Sequence, residues 1–387
     1  MVRLVFTADN HLSKSYRLMT ADQIMRRRER LRRAWTETVD FALESGADLY
    51  LHGGDLFDTY TPRPADLIAV ARQLRRLNEA GIPIHLIGGN HDVPRSRADG
   101  STPQRLYAEA GMAHVFDRVT TVEWYSHDIR GTRVAIGGLP FDPRVEADGD
   151  PLAGVADLEP PADADFAVLM LHYAVEGMLP GDVAEPILSK ARIASLRGVD
   201  LLLLGHVHER KVMDIGDVKV VYSGPTERMS FGERAVEVGF VEVSLGPKGV
   251  AVRHHDTHPQ PMQRDVLKTT DQPPDATAAL RDHINARSHP DQMYQLRLEG
   301  PLDMDGYRAM RWAELRALGA ESNFFFNLDT RLVYLTQRRQ MPVGAGGERV
   351  SPREEIEAIA ASLAQEAADD EERELIEAAR RLILDRL

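Results

Sequence analysis

Five apolar runs of this chain each end in a side chain that can bind a metal ion. The runs are RLVFTADNH, DLYLHGGD, PIHLIGGNH, FAVLMLH and VDLLLLGHVH. Functional groups of open α/β sheets lie in the crevice beyond the carboxyl ends of the strands, so we expect these five ends to converge on one site. The candidate metal ligands at these ends are Asp9, His11, Asp55, Asn90, His172, His206 and His208.

The chemical types of these side chains restrict the ion that they can bind. Carboxylate and amide oxygens and imidazole nitrogens are hard to borderline donors, and the chain contains no cysteine. Such a set suits Mn²⁺, Fe²⁺ or Zn²⁺ better than Ca²⁺ or a soft metal. Two ions that share an aspartate would clamp a phosphate and lower the pKa of a bound water, which then acts as a nucleophile. The pattern therefore predicts phosphoester chemistry.

The order of segments predicts a layered α/β domain. Short apolar runs alternate with amphipathic stretches, and the pattern is typical of a helix from about residue 20 to 45 and another from 64 to 80. Later runs rich in Val, Leu and Ile predict further strands, several of them antiparallel. Near residue 260 the pattern changes to a small α+β unit. A segment rich in Gly and Pro follows, and residues 351–387 then carry apolar side chains at helical spacing.

The distribution of charge leaves a nucleic-acid partner open. The net charge is −13, but two acidic segments, residues 145–165 and 351–387, account for all of it. The rest of the chain is formally neutral and can carry basic patches. The absence of cysteine, of a leader pattern and of a long apolar run predicts a cytoplasmic protein with no membrane partner.

The five motifs D-x-H, G-D-x-x-D, G-N-H-D, a single H and G-H-x-H occur here in the order found in the calcineurin-like metallophosphoesterase superfamily, which the chain resembles over about residues 1–230. The resemblance implies a β-sandwich flanked by helices and a centre of two divalent ions. One ion would be held by Asp9, His11, Asp55 and His208, and the other by Asp55, Asn90, His172 and His206. The resemblance also implies that His91 stays off the metals and protonates the leaving oxygen.

Within that superfamily, the stretches GDLFDTYTPRP, GNHDVPRS and YSGPTERMSFGE resemble the SbcD-type DNA repair nucleases of the SbcCD and Mre/Rad complexes. This likeness implies four parts: a nuclease domain (1–262), a DNA-binding capping domain (263–338), a linker (339–350) and a helical tail (351–387). It also implies Mn²⁺ as the ion, 3′–5′ exonuclease and single-strand endonuclease activity in double-strand-break repair, a homodimer, and an SMC-like coiled-coil ATPase of the SbcC type as partner. Asp58 stands where archaeal and eukaryotic members usually have histidine.

Other functions remain open at this point. The centre would also suit a small phosphodiester or a phosphoprotein, a subunit that mainly tethers DNA ends, or a site that binds metal without catalysis. The basic run 25–33 is either a DNA-binding face, a solvated helix balanced by acids, or part of a dimer interface with the helix at 64–80. The aromatic run 324–326 predicts either base stacking or core packing, and residues 145–165 either a solvated loop or a lid.

The tail and the other histidines also leave a choice. The helices of the tail either bind the partner or pack on their own domain. The histidines outside the motifs, at positions 52, 85, 114, 127, 254, 255, 258, 283 and 289, are assigned structural or surface roles.

Overall fold

The computed structural model describes residues 1–94, 100–179, 184–271, 276–336, 352–367 and 369–384. Contacts divide the chain into two compact units. The first contains Met1–Leu302 and Gly306–Tyr334, and the second contains Asp303–Asp305 and Leu335–Leu387. The predicted linker at 339–350 lies outside the described residues.

The first segments form the strands and helices that the sequence predicts. They are β1 (Val2–Thr7), α1 (Ala21–Ser45), β2 (Leu49–His52), α2 (Pro64–Glu79) and β3 (Ile84–Ile87). Helix α1 begins at a capping box, in which Thr20 and Gln23 satisfy each other's backbone N–H groups, and ends at Gly46 in the left-handed conformation (φ 62°). Helix α2 begins with Pro64, whose missing N–H costs nothing at a helix start.

The remaining elements of the two large sheets follow in chain order. They are α3 (Arg105–Glu109), β4 (His114–Phe116), β5 (Glu123–Ile129), β6 (Thr132–Gly138), β7 (Phe166–His172), β8 (Ala174–Val175), β9 (Ile187–Leu188), α4 (Lys190–Ala194), β10 (Leu201–Gly205), β11 (Lys211–Ile215), β12 (Val218–Tyr222), β13 (Gly239–Gly246) and β14 (Gly249–Asp256). Strands β8 and β9 pair only with each other among the described strands.

Two six-stranded sheets are present in the described part of the chain. The first has the order β14-β13-β1-β2-β3-β4, and the second has the order β11-β12-β10-β7-β6-β5. Strands β1 to β4 run parallel, as do β12, β10, β7 and β6. The carboxyl ends of β1, β2 and β3 therefore lie at one edge of the first sheet, and those of β7 and β10 lie at one edge of the second.

The two sheets pack face to face, with helices on the outer surfaces. Leu4 and Phe6 of β1 lie in the core between the sheets, whereas Val5 points to the other face and packs in a cluster with Leu31 and Trp35 of α1. A third cluster covers the outer face of the second sheet and includes Ile193 of α4. This alternation confirms the predicted α/β fold, a layered β-sandwich flanked by helices.

A third, three-stranded sheet follows, and most of its residues belong to the first compact unit. It consists of β15 (Met262–Lys268), β16 (Met293–Asp303) and β17 (Phe325–Thr336), with α5 (Ala276–Arg287), α6 (Met304–Ala309) and α7 (Trp312–Ser322). Phe324 and Phe325 are buried, and Phe326 packs against the core cluster of this sheet. The core interpretation of these aromatic residues is therefore confirmed over base stacking.

The tail forms two helices, α8 (Pro352–Glu366) and α9 (Asp370–Leu384), which contact each other. Arg380 of α9 lies 3.8 Å from Glu357 of α8. Leu375 and Leu382 of α9 are 72% and 60% exposed. Among the helices that the structure describes, none has the length and apolar character needed to span a bilayer.

The basic run at 25–33 is neutralised by acidic partners. Arg27 is fully buried and pairs with the buried Glu227 at 2.9 Å. Arg32 pairs with Asp66 at 2.7 Å, and Arg30 pairs with Asp291 near the third sheet. The structure therefore favours the balanced-helix interpretation over a free DNA-binding face.

Two other open questions have structural answers. Leu31 and Trp35 are buried in the core, so they are not available for a dimer interface. Residues 145–165 contain no helix or extended strand, and an acidic side chain near their end, Asp165, accepts the backbone N–H of Arg133 at 2.7 Å. This segment is a loop, a form that both alternatives share.

Three histidines pack together where the edges of the two large sheets meet. His85 Nε2 lies 2.8 Å from His127 Nε2, and the ring of His114 lies 5.5 Å from that of His85, measured between centroids. His85 is only 2% exposed. Burial, followed by the nearby charges of His127 and His114, lowers the pKa of His85 well below its ordinary value. The structural role expected for these histidines is confirmed.

We expect acid to destabilise the fold through His85. The folded protein keeps His85 neutral, whereas the unfolded chain takes up a proton near pH 6.5. This contribution to the free energy of unfolding is therefore complete above about pH 6.5 and is lost as the pH falls toward the lowered pKa, at up to about 1.4 kcal/mol per pH unit. Urea unfolding between pH 7.5 and 5 should show a smaller loss of stability for His85→Phe than for the wild type. The exposed His258 supplies the control, His258→Gln. An identical pH dependence of wild type and His85→Phe would contradict this role.

Candidate metal centre

The seven predicted ligands lie at the adjoining edges of the two large sheets. Each follows or ends a parallel strand: Asp9 and His11 after β1, Asp55 after β2, Asn90 after β3, His172 at the end of β7, and His206 and His208 after β10. The parallel direction of these strands brings their carboxyl ends together.

One group of ligand atoms contains Asp9, His11 and His208. One atom from each of these residues lies within 4.8 Å of the others. His11 Nε2 is 3.1 Å from His208 Nε2 and 3.7 Å from Asp55 Oδ2. Asp55 therefore borders this group.

A second group lies on the other side of Asp55. Asn90 Oδ1 is 3.1 Å from His172 Nε2 and 3.0 Å from His206 Nδ1. Asp55 Oδ2 is 3.4 Å from His172 Nε2. Ligand atoms of Asp9, Asp55 and His172 also lie within 4.8 Å of one another. The arrangement can hold two ions that share Asp55, with Asp9 close to both.

Four of these residues adopt a left-handed backbone conformation, which is costly for any residue other than glycine. The φ angles are 56° for Asp9, 47° for His11, 53° for Asp55 and 87° for His206. Such strain costs about 1–3 kcal/mol per residue and persists only where the surroundings impose it. Here the Asp9 N–H donates to Gly54 O at 3.1 Å, and the His206 N–H donates to Asp9 Oδ1 at 2.9 Å. Strain concentrated in this way is typical of a functional site.

Three glycines make room for the ligands. A Cβ on Gly54 would collide with His172 Nδ1, one on Gly89 with Asp55 Oδ1, and one on Gly205 with Gly53 O. At these positions the backbone itself forms the wall of the site, so only glycine fits.

Each of the four histidine ligands has an acceptor near the ring nitrogen that points away from the centre. His172 Nδ1 hydrogen-bonds to Gly53 O at 2.7 Å, and His206 Nε2 to Glu185 at 2.7 Å. Asp58 lies 3.1 Å from His11 Nδ1, and Glu233 lies 3.3 Å from His208 Nδ1. A proton on the outer nitrogen leaves the lone pair of the inner nitrogen free for a metal, so the residues fit a bound cation.

The charge of the centre also favours a cation. His172 is fully buried, and burial alone would lower its pKa. The carboxylates of Asp55 and Asp9 outweigh that effect and raise the pKa of His172 to about 9. The negative charge that stabilises a protonated imidazole also stabilises a divalent ion in the same space.

His91 lies at the rim of this centre, with 43% of its side chain exposed. Its ring packs edge-on against His11 at 4.8 Å between centroids, and its Nδ1 is 3.8 Å from Asp58 Oδ1. The backbone N–H of His91 donates to Asp55 Oδ1 at 2.9 Å. Burial lowers the pKa of His91, against the opposing effect of Asp55. The side chain is thus open to a molecule that approaches from solvent.

Two buried residues outside the set of predicted ligands support the ligand loops. Asp92 accepts the backbone N–H groups of Gly89 at 2.6 Å and Phe57 at 3.2 Å, and burial together with Asp55 raises its pKa to about 7. His52 Nε2 hydrogen-bonds to Asn10 Oδ1 at 2.5 Å, and burial lowers its pKa to about 3. His52 is therefore a structural residue, as expected.

We expect Gly89→Ala to impair metal binding. Its Cβ would press on the carboxylate of Asp55 and on the ring of His172, so the affinity for at least one ion should fall about 10- to 100-fold. The metal content after dialysis against Mn²⁺, measured by mass spectrometry, checks this. Gly246→Ala is the control, because its Cβ would meet its nearest neighbour, Met1, at an ordinary 3.7 Å. Full Mn²⁺ content in Gly89→Ala would contradict the assignment of these ligands.

Comparison with known proteins identifies relatives among DNA repair proteins. The chain is 31% identical over 262 residues to the DNA double-strand break repair protein Mre11 of Haloferax volcanii, covering 67% of this chain and 53% of that protein. It is 26% identical to the protein of the same name from Saccharolobus solfataricus, over 58% of this chain and 55% of that one. The chain thus spans about half the length of the curated relatives it matches.

Among solved structures, a dimetal phosphatase from Danio rerio matches 65% of this chain and 95% of its own, with 10% identity and a TM-score of 0.40. Residues 2–210, more than half of the chain, match the family model described as calcineurin-like phosphoesterase. The chain therefore belongs to the calcineurin-like phosphoesterase family.

Proposed function

We propose that this protein is a DNA nuclease of the SbcD type, which hydrolyses phosphodiester bonds during double-strand-break repair with two Mn²⁺ ions. The observation that carries the proposal is the convergence of seven side chains with oxygen and nitrogen ligand atoms, Asp55 among them, with His91 beside them at the rim. The similarity to the archaeal Mre11 proteins supports DNA as the substrate. We propose both 3′–5′ exonuclease and single-strand endonuclease activity.

The residues of this chain divide the work between holding ions and moving a proton. The seven ligands hold the ions, and the hydrogen bonds from His172 to Gly53 O and from His206 to Glu185 keep those two rings in place. When bound, two divalent ions polarise a phosphate and make a water more acidic. His91 reaches the solvent side of the centre, where it can donate a proton to the oxygen that leaves phosphorus.

A cluster of arginines near the centre favours a polymer over a small phosphodiester. Burial lowers the pKa of Arg264, and the positive charges of Arg297, Arg234 and Arg331 lower it further. Asp329 binds both Arg297, at 3.0 Å, and Arg331, at 2.9 Å. The cluster retains excess positive charge in a protein with a net charge of −13. Several phosphates of one strand would satisfy it, whereas a small ester would not.

Two arginines of the cluster adjoin the turn that contacts the metal centre. Arg234 directly follows Glu233, which contacts His208. Arg264 lies over the ring of Phe231, in the same turn, at 6.0 Å from its centroid. A strand with its scissile phosphate at the ions can therefore place neighbouring phosphates on the arginines.

We also propose the partners that the resemblance implies. Exposed leucines on α9, at positions 375 and 382, support docking of the tail on the coiled coil of an SMC-like ATPase. Met25 of α1 and Ile68 of α2, which are 62% and 51% exposed, support a homodimer formed through these helices. In a protein that mainly tethers DNA ends, these surfaces would matter more than the centre.

We expect His91→Ala to separate chemistry from metal binding. The rate of cleavage of a labelled DNA duplex with Mn²⁺ should fall about 10²- to 10⁴-fold, because the leaving oxygen loses its proton donor, while Mn²⁺ content stays normal. Asp9→Ala should lose both cleavage and metal. The exposed His258→Ala serves as control. Equal cleavage by all of these proteins would refute the mechanism. A wild-type protein that binds DNA ends normally but does not cleave DNA would favour the tethering subunit.

We expect Arg264→Gln to weaken DNA binding without affecting the chemistry. The loss of one phosphate contact should reduce the slope of log affinity against log salt concentration by about 1. Hydrolysis of a chromogenic phosphodiester should remain unchanged. The control is Arg316→Gln on the exposed side of α7. An unchanged salt slope with Arg264→Gln would favour a small phosphodiester as substrate.

A further inference from the structure

One short 3₁₀ turn, Phe231–Glu233, contacts both the metal centre and the third sheet. Glu233 Oε1 lies 3.3 Å from His208 Nδ1. The other carboxylate oxygen accepts the backbone N–H of Met229 at 2.6 Å, and the Glu233 N–H donates to Ser230 O at 2.9 Å. The direction of this carboxylate is therefore set by the turn that carries it.

The other end of the same turn is part of the hydrophobic core of the third sheet. The ring of Phe231 stacks on that of Phe325 at 6.3 Å between centroids and 25° between planes. It packs against the small buried cluster formed by Met293, Phe324 and Phe325. Phe231 is two residues from Glu233, so a displacement of one is passed to the other through a single turn of backbone.

The position of the proton on the His208 ring decides which of its nitrogens can bind an ion. His208 Nε2 faces His11 Nε2 at 3.1 Å, within the first group of ligands. It can bind an ion through Nε2 only while its proton is on Nδ1, and an acceptor at Nδ1 favours that tautomer. His206 is held differently, by Glu185.

We propose that Glu233 is a positioning residue for His208, and that Phe231 makes this positioning depend on the third sheet. The proposal rests on the two-ion centre proposed above but not on DNA as the substrate. When the third sheet shifts Phe231, Glu233 moves away from His208 Nδ1. The affinity for the ion held by His11 and His208 then falls, while the ion near Asn90, His172 and His206 keeps its ligands. The third sheet thereby regulates the occupancy of one of the two sites.

The test is a titration of metal-free protein with Mn²⁺, in which free Mn²⁺ is measured by electron paramagnetic resonance. The wild type should bind two ions. Glu233→Gln and Phe231→Ala should each weaken one of them about 10- to 100-fold and leave the other unchanged. The double variant should be no weaker than Glu233→Gln alone, because both changes act through one contact. Phe231→Leu, which keeps the apolar contact, should restore most of the affinity.

A matched control and a second readout separate positioning from a general structural effect. Glu209→Gln changes a carboxylate beside His208 in the sequence that is 56% exposed and pairs with Lys211, and it should bind both ions normally. In ¹⁵N NMR spectra of the metal-free protein, the proton of His208 should shift from Nδ1 toward Nε2 in Glu233→Gln and remain on Nδ1 in Glu209→Gln.

Each of the following results would overturn the inference. Wild-type affinity for both ions in Phe231→Ala, or an equal loss of both, would show that the third sheet does not control one site. Additive losses in the double variant would show that the two residues act independently. A wild-type protein that takes up no Mn²⁺ would overturn both this inference and the proposed function. Two ions bound with wild-type affinity in every variant would overturn this inference alone.

Discussion

The buried carboxylate of Asp55 is the constraint on which the rest of the structure depends. It is 2% exposed and lies within 3.7 Å of ring nitrogens from both groups of ligands. Removal of such a charge from water costs several kcal/mol unless cations or hydrogen bonds compensate for it. The backbone N–H of His91 supplies one such bond. The parallel strands of the two packed sheets bring the remaining neighbours of Asp55 close to it, so the position of the centre follows from the sandwich fold.

Much of the centre could be predicted because each ligand follows its strand closely in sequence. A buried parallel strand appears as a short apolar run, and the residues just after it must lie at the carboxyl edge. This local rule brings Asp9 and His172 together although they are far apart in the chain. It also predicts the layered fold, because α1 and α2 repeat apolar residues at helical spacing between these runs.

Other features of the centre depend on contacts that no local pattern reveals. Glu185 comes from a loop without a motif of its own, and Glu233 ends the stretch YSGPTERMSFGE. Their roles beside the histidines follow only from the ring nitrogens that they face. For the same reason, the sequence alone does not decide whether the basic run on α1 binds DNA or pairs with acidic side chains. The buried partner of Arg27 is Glu227, which lies much later in the sequence. Such pairings arise from tertiary packing, and periodicity carries no information about them.

The left-handed backbone at Asp9, His11, Asp55 and His206 has a consequence for how ions enter and leave. Backbone hydrogen bonds, from Asp9 N–H to Gly54 O and from His11 N–H to Asp55 O, hold these residues in their unfavourable conformations. The ligand loops therefore reach their binding conformation when the chain folds, and the binding of an ion requires little rearrangement of the backbone. Ions can then exchange without unfolding of the loops, and a preparation stripped by a chelator should regain its ions on simple addition of the metal.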